Sequence, residues 1–243
     1  MFLFRGVRNR ISSAVAAGIA AVFMLICGAI MAFVISPQQA LEWRRVQSLP
    51  ELDAAAFAAT ASGEAVAITG TLEGNEPAGE NDLVAFYRDN WNVETPDPAE
   101  DEATEPSGTW VRTETVVPPL NIAVSGGTVT TLSASSPNFG GNLHESRVLG
   151  EGPETANDGD EELPEGTVRT RGFKNGDLIT VVGDKGSSGD LAPKRLYGGD
   201  RVQLVENIRA GARAAFVAGI AMMICAPIVL VFGVLAGLFG RRR

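Results

Sequence analysis

Two long apolar runs, residues 11–35 and 214–239, bracket a polar and acidic segment of 178 residues, 36–213. Neither run contains a charged residue. A bilayer core about 30 Å thick takes about 20 apolar helical residues to cross, so both runs are long enough to span it with some tilt. Soluble core helices rarely stay apolar on every face over such a length. The chain therefore reads as a membrane protein of α+β class, with two transmembrane helices flanking a mainly β extracytoplasmic domain.

The first run has one competing reading, a cleavable signal peptide with Arg5, Arg8 and Arg10 as its basic start. Its apolar stretch exceeds the usual 7–15 residues of such peptides. The second run is followed by Arg241, Arg242 and Arg243, a stop-transfer cluster. All 29 acidic residues lie in the segment 36–213, against 14 basic ones. The positive-inside bias then puts both termini in the cytoplasm of a two-span cell-membrane protein and the segment outside. Arg44, Arg45, Arg209 and Arg213, near the outer helix ends, run against that bias.

Of the 20 basic residues, 17 are arginine and three are lysine. Acid-rich, lysine-poor composition suits a protein kept soluble in concentrated salt, where net negative charge is screened and well hydrated. It is similar to haloarchaeal usage, with milder versions in high-GC bacteria. The rival reading is an acidic surface for cations or basic partners. Nucleic-acid binding is disfavoured under either, because phosphate neutralisation needs a basic patch. The two cysteines, Cys27 and Cys225, fall inside the apolar runs, so segment 36–213 has neither a disulfide nor a thiolate metal site.

Hydrophobic periodicity divides the chain into a basic tail 1–10, a first span 11–35, a helical linker 36–62, a β domain 63–199, a juxtamembrane helix 200–213, a second span 214–239 and a basic tail 240–243. Pro37 is expected to end the first helix, and Trp43 with Arg44 and Arg45 suits an interfacial anchor. Residues 51–61 read as an alanine-rich helix. Strands are expected at 65–70, 83–91, 110–117, 120–124, 128–132, 167–173, 178–183 and 191–197, with 133–142 a loop. Gly126–Gly127 and Asn175–Gly176 read as hairpin turns, the latter a type I′ signal. Two acidic inserts, 94–107 (ETPDPAEDEATEPS) and 151–165, read as solvated stretches without a core. Asp200 reads as the N-cap of a helix starting at Arg201 that runs on into the second span, with Val202, Val205, Ile208 and Ala212 on one face. The segment is sized for one small barrel or sandwich. The strand-then-glycine look shared by residues 66–70 and 179–183 hints at two similar halves.

Catalysis needs activatable groups within reach of one another, and few exist here. His144 is the only histidine; beside Glu145 on a loop it reads as solvated or structural rather than as a base. Residues 186–189 (GSSG) fit neither a nucleophile elbow nor a phosphate cradle and read as a flexible turn. Residues 157–162 (NDGDEE), and Asp97, Glu100, Asp101 and Glu102, could offer calcium carboxylates but miss the twelve-residue loop spacing. The expectation is no catalytic, cofactor-binding or metal-binding residue, no cofactor and no identified small-molecule substrate. The lysines Lys174, Lys185 and Lys194 are the handles for crosslinking a partner.

The stretches AVAITGTL (65–72), LVAFYRDNW (83–91), WVRTETVVP (110–118), TVRTRGFKNGDLITVVG (167–183) and PKRLYGGDRVQLVENIRAG (193–211) carry a resemblance to the GIDE-domain family, membrane ubiquitin ligases of the MULAN type. It covers nearly the whole chain but consists of strand-and-glycine patterns, not an invariant motif. It implies a first membrane helix, a β domain and a second membrane helix. In those ligases a zinc-binding RING follows; this chain stops at Arg243 with no cysteine or histidine to spare, so no ligase residue carries over. The function expected is an extracytoplasmic scaffold or sensor binding a protein or a membrane-surface ligand, with the bilayer, a protein or a second copy as partners. The alternatives are a RING-less, ligase-associated subunit and a structural envelope protein.

Overall fold

A computed structural model describes residues 3–95 and 105–239. The chain forms two compact units, one built from its two ends and one from Leu49–Leu204.

The first unit begins with α1 (Leu3–Ile30), which passes through a π-helical turn (Met31–Ile35) into α2 (Ser36–Ser48). Pro37 does not end the helix as expected. The Ser36 N–H bonds the Met31 carbonyl, five residues back. This widened turn lets the helix accommodate a ring that lacks an N–H and would crowd a normal α turn. The second helix of the unit is the greater part of α4 (Arg201–Phe239), one unbroken helix that contains Pro227. Both helices are long and apolar enough to cross a membrane.

These helices meet through small residues. Ala21 and Gly28, and Ala212, Gly219 and Ala226, are buried at seven-residue spacing. A methyl group on Gly28 would lie 2.6 Å from the Gly219 carbonyl oxygen, and one on Gly233 would meet Ala17 Cβ. The backbones can therefore approach only because side chains are absent there. Gly219 faces Gly28 and Ala32 while Gly233 faces Ala17, so the pair is antiparallel. Phe23, Phe33, Val217 and Phe232 point outward, Phe23 being 67% exposed.

The second unit is a β sandwich preceded by α3 (Ala54–Ala59), capped by the Asp53 carboxylate accepting the Ala56 N–H at 2.7 Å. Its strands are β1 (Ala65–Leu72), β2 (Leu83–Glu94), β3 (Ser107–Val116), β4 (Asn121–Val124), β5 (Gly127–Thr130), β6 (Asn138–Gly141), β7 (His144–Val148), β8 (Thr155–Asp158), β9 (Glu161–Pro164), β10 (Val168–Lys174), β11 (Leu178–Lys185) and β12 (Leu191–Gly198). One sheet runs β5-β4-β1-β11-β12-β6, a second β3-β2-β10-β7, and β8-β9 form a hairpin. Adjacent strands are antiparallel except β12 with β6. Between the sheets lie Ile68, Leu72, Val84, Leu120, Ile122, Phe173, Ile179, Val181 and Leu196, with Phe57 of α3 closing one side.

Four expectations need correction. β10 and β11 are not a hairpin: β10 pairs with β2 and β7, β11 with β1 and β12. The turn between them crosses from sheet to sheet, with only Gly176 (φ 92°) left-handed, where a type I′ turn needs both central residues so. The Asn175 side chain instead bonds the Asn75 backbone, donating to its carbonyl at 2.7 Å and accepting its N–H at 3.1 Å. Second, the acidic insert 151–165 has a core: it forms β8 and β9, whose Ala156 and Leu163 bury against Trp91 and Val93. Third, the expected loop 133–142 contributes β6. Fourth, the look-alike stretches 66–70 and 179–183 pair with each other, Val66 opposite Gly183 and Gly70 opposite Ile179. Since β1 leads into the four-stranded sheet and β11 comes out of it, they do not mark a sequential repeat. Most of the insert 94–107 lies outside the described residues; Glu94 and Ser107 form the last pair of the β2–β3 ladder.

The start of α4 is as expected. Asp200 Oδ1 accepts the Gln203 N–H at 2.8 Å and Gln203 Oε1 accepts the Asp200 N–H at 3.2 Å, a reciprocal capping box. Its buried face differs: Leu204, Ile208 and Ala212, one turn apart, are buried, while Val202 is 65% exposed.

Candidate functional site

Two surfaces of the β unit gather polar side chains. The first is a cleft of about 370 Å³ where the β10–β11 turn meets the root of α4. His144 opens strand β7, opposite Gly172 of β10, rather than lying on a loop. Its Nε2 is 3.0 Å from Asp177 Oδ1, and Asp177 Oδ2 accepts the Lys174 N–H at 2.8 Å. The turn thus orients the carboxylate, and the carboxylate orients the imidazole. Asn142, Leu143, Leu178, Gly199 and Gln203 complete the lining. Tyr197 lies close by, its hydroxyl donating to the Gln203 carbonyl at 3.3 Å. Burial, reinforced by the negative charge of Asp200, raises the Tyr197 pKa and keeps this phenol a donor. The lining offers amides, an imidazole and a carboxylate, a set suited to hydrogen-bonding a polar group.

The second surface covers the far half of the four-stranded sheet. Register places Asp89 opposite Arg112 and Arg169, and Arg171 opposite Glu145 and Tyr87. Asp89, buried, accepts from Arg112 Nε at 3.0 Å and Arg169 Nη2 at 3.2 Å. Glu145 accepts from Arg171 Nε at 2.5 Å and Arg147 Nη2 at 2.9 Å, and Arg147 also reaches Glu161 at 2.6 Å. The guanidiniums of Arg112 and Arg169 stand 3.6 and 4.0 Å from the ring centroids of Tyr87 and Trp110. Partial burial pushes the Glu145 carboxyl up, but the hydrogen bonds from Arg171 and Arg147 outweigh it and hold the carboxyl below its ordinary range. Both arginines are correspondingly raised. Four arginines converge on one face of a domain that is otherwise strongly acidic.

Three of the carboxylates weighed as calcium ligands have other partners. Asp158 accepts from Trp110 Nε1 at 3.0 Å, Glu161 from Arg147, and Glu162 from the Thr155 hydroxyl. Among the described residues, no group of three or more histidine, cysteine or acidic side chains comes together as a metal set. Asp97, Glu100, Asp101 and Glu102 lie outside the described residues. Residues 186–189 form the β11–β12 turn, with Ser188 Oγ bonded to Asp190 at 2.8 Å. Cys27 and Cys225 are free thiols on α1 and α4. Lys185 is not an accessible handle: it is buried, donating from Nζ to the Phe57 and Ala58 carbonyls at the end of α3.

Sequence reasoning did not link His144 to Asp177, which lies 33 residues away, nor gather the arginines. A signal for the second existed: Glu145 and Arg147, and Arg169 and Arg171, alternate along their strands and so share a face. Compared with known proteins, the chain matches no family model, no curated protein and no solved structure, so its fold and its surfaces are the ground on which a function rests.

Proposed function

We propose that this chain is a membrane-anchored scaffold or sensor. The α1–α4 pair lies in the bilayer with both termini cytoplasmic, and the β unit on the outer face binds a protein or a membrane-surface ligand. One observation carries the anchoring: the helical pair buries alanine and glycine while exposing phenylalanine, valine and isoleucine along its length. Water penalises that arrangement, whereas lipid tails accept large apolar side chains and reward close backbone packing. The antiparallel pairing supports termini on one side, and the basic tails support the cytoplasmic side. The binding role draws support from the two surfaces, whose groups recognise charge and hydrogen-bonding partners.

The likeness to the GIDE-domain family stays part of this proposal; it rests on the sequence stretches that carry it, and the order of helix, β domain and helix is the one it implies. The ligase-associated reading follows from that likeness alone. It implies a zinc-binding partner recovered on the cytoplasmic tails.

Topology is testable by thiol labelling. In a Cys27→Ala/Cys225→Ala background, Ser187→Cys puts one thiol on the exposed β11–β12 turn. A membrane-impermeant maleimide should label it in intact cells. Labelling only after lysis would place the β unit in the cytoplasm and overturn the proposed orientation.

A further inference from the structure

We propose that the groove between α2 and the neighbouring face of α4 binds an anionic phospholipid through its phosphate. The inference rests on the membrane reading above and specifies what the helical unit takes from the bilayer. The groove holds about 440 Å³ and lies wholly within that unit. Ala40 and Trp43 face it from α2; Arg209, Arg213, Phe216 and Val217 face it from α4, at the i, i+4, i+7, i+8 spacing of one helix face.

The groove is amphiphilic along its length. Its charged lining residues are Arg209 and Arg213, both exposed and one turn apart, and the next turn presents Phe216 and Val217, 46% and 65% exposed. Eight residues of helix rise about 12 Å, so a cationic end and an apolar end lie within the length of one lipid headgroup and the start of its chains. The apolar run of α4 begins at Ala214, directly after Arg213, which sets the groove at the depth where phosphates of a bilayer lie. Trp43 adds an indole with the guanidiniums of Arg44 and Arg209 at 5.4 and 5.5 Å from its ring, the side-chain types favoured at membrane interfaces. Guanidinium forks match phosphate oxygens bidentately. Glu42 and Glu206 lie on the same two helices but not in the groove lining. A cationic groove is an exception in a segment with 29 acids against 14 basic residues. That charge and the adjoining apolar wall fit an anionic amphiphile better than a basic or fully polar partner.

The test is native mass spectrometry of the full-length chain released from detergent, with phosphatidylglycerol, phosphatidylcholine or inorganic phosphate added. Wild type should retain phosphatidylglycerol at least tenfold more than phosphatidylcholine, and should retain no inorganic phosphate. Arg209→Gln/Arg213→Gln should lose that preference. Ala40→Trp, which fills the groove without changing charge, should lose it too, while Arg147→Gln on the β unit should keep it. Equal retention in wild type and both groove variants would overturn the proposal, as would inorganic phosphate binding as well as the lipid, or a second copy or peptide occupying the groove. Alkaline carbonate extraction run in parallel separates the two levels. Release of wild type from membranes would sink the membrane reading, whereas carbonate-resistant wild type with no lipid preference would sink this inference alone.

Discussion

The helical pair and the β sandwich obey opposite burial rules. In the sandwich, Phe173, Ile68, Leu72 and Leu196 are fully buried in the space between the sheets. In the helical pair Ala32 is 1% exposed while Phe232 is 66% exposed. The same chain thus uses bulk to exclude water in one unit and the absence of bulk to bring backbones together in the other. The difference teaches that the two units solve burial differently. Apolar area is removed from water in the first, while the second brings helix backbones into van der Waals contact and leaves its large apolar side chains outside, the pattern on which the proposed membrane location rests.

The largest effect should come from hollowing the sandwich. Phe173→Ala should cost about 3–5 kcal/mol, read in a Trp43→Phe background as a lower urea midpoint of the fluorescence of Trp91 and Trp110. The helix pairing should survive it. That pairing can be followed by an Ala17→Cys/Gly233→Cys disulfide in the cysteine-free background. In the helical pair the damaging change runs the other way. Gly219→Leu should cost about 1–3 kcal/mol through overpacking and suppress that disulfide, leaving the sandwich midpoint unchanged. If Phe173→Ala broke the helix pairing and Gly219→Leu lowered the sandwich midpoint, the comparison of the two units would fail.

How far the sequence carries differs between the units. The two long apolar helices, most strands, the β4–β5 hairpin and the Asp200 cap are legible because each rests on local signals: unbroken apolarity, alternation, paired glycines, an Asp three residues before Gln203. What is not legible depends on long-range partners. Asn175–Gly176 has the local form of a hairpin, yet Asn175 is bonded to Asn75, 100 residues away, and the strands on either side join different sheets. Leu163 looks like one apolar residue in an acidic stretch until Trp91 and Val93 are placed beneath it. Pro37 reads as a helix stop because sequence does not reveal the π turn that accommodates it. The His144–Asp177 cleft is hidden for the same reason: its groups converge only when β7 pairs with β10.

Smaller effects sharpen the comparison at the boundary of the sandwich. Asp200→Ala removes one half of the capping box and should destabilise the start of α4 by about 1 kcal/mol, seen as faster amide exchange at Gln203 and Leu204. The weakest effect concerns Glu145. Its folded pKa is held below the ordinary carboxyl range, so the stability it contributes is fully present above that range and is lost as pH falls through the folded value. Wild type should therefore lose more stability on acidification than Glu145→Gln, by a margin that shrinks with added salt. Parallel pH profiles for the two proteins would contradict the assignment.

The most direct measurement is flotation of the full-length chain, expressed in cells, after alkaline carbonate washing of the membranes. A helical pair built for lipid should stay with the floated membranes, and Phe23→Ser/Phe33→Ser/Phe232→Ser should move the chain toward the soluble fraction. Recovery of wild type in the carbonate supernatant would show that the exposed apolar faces are covered by protein rather than by lipid, and would contradict the central claim.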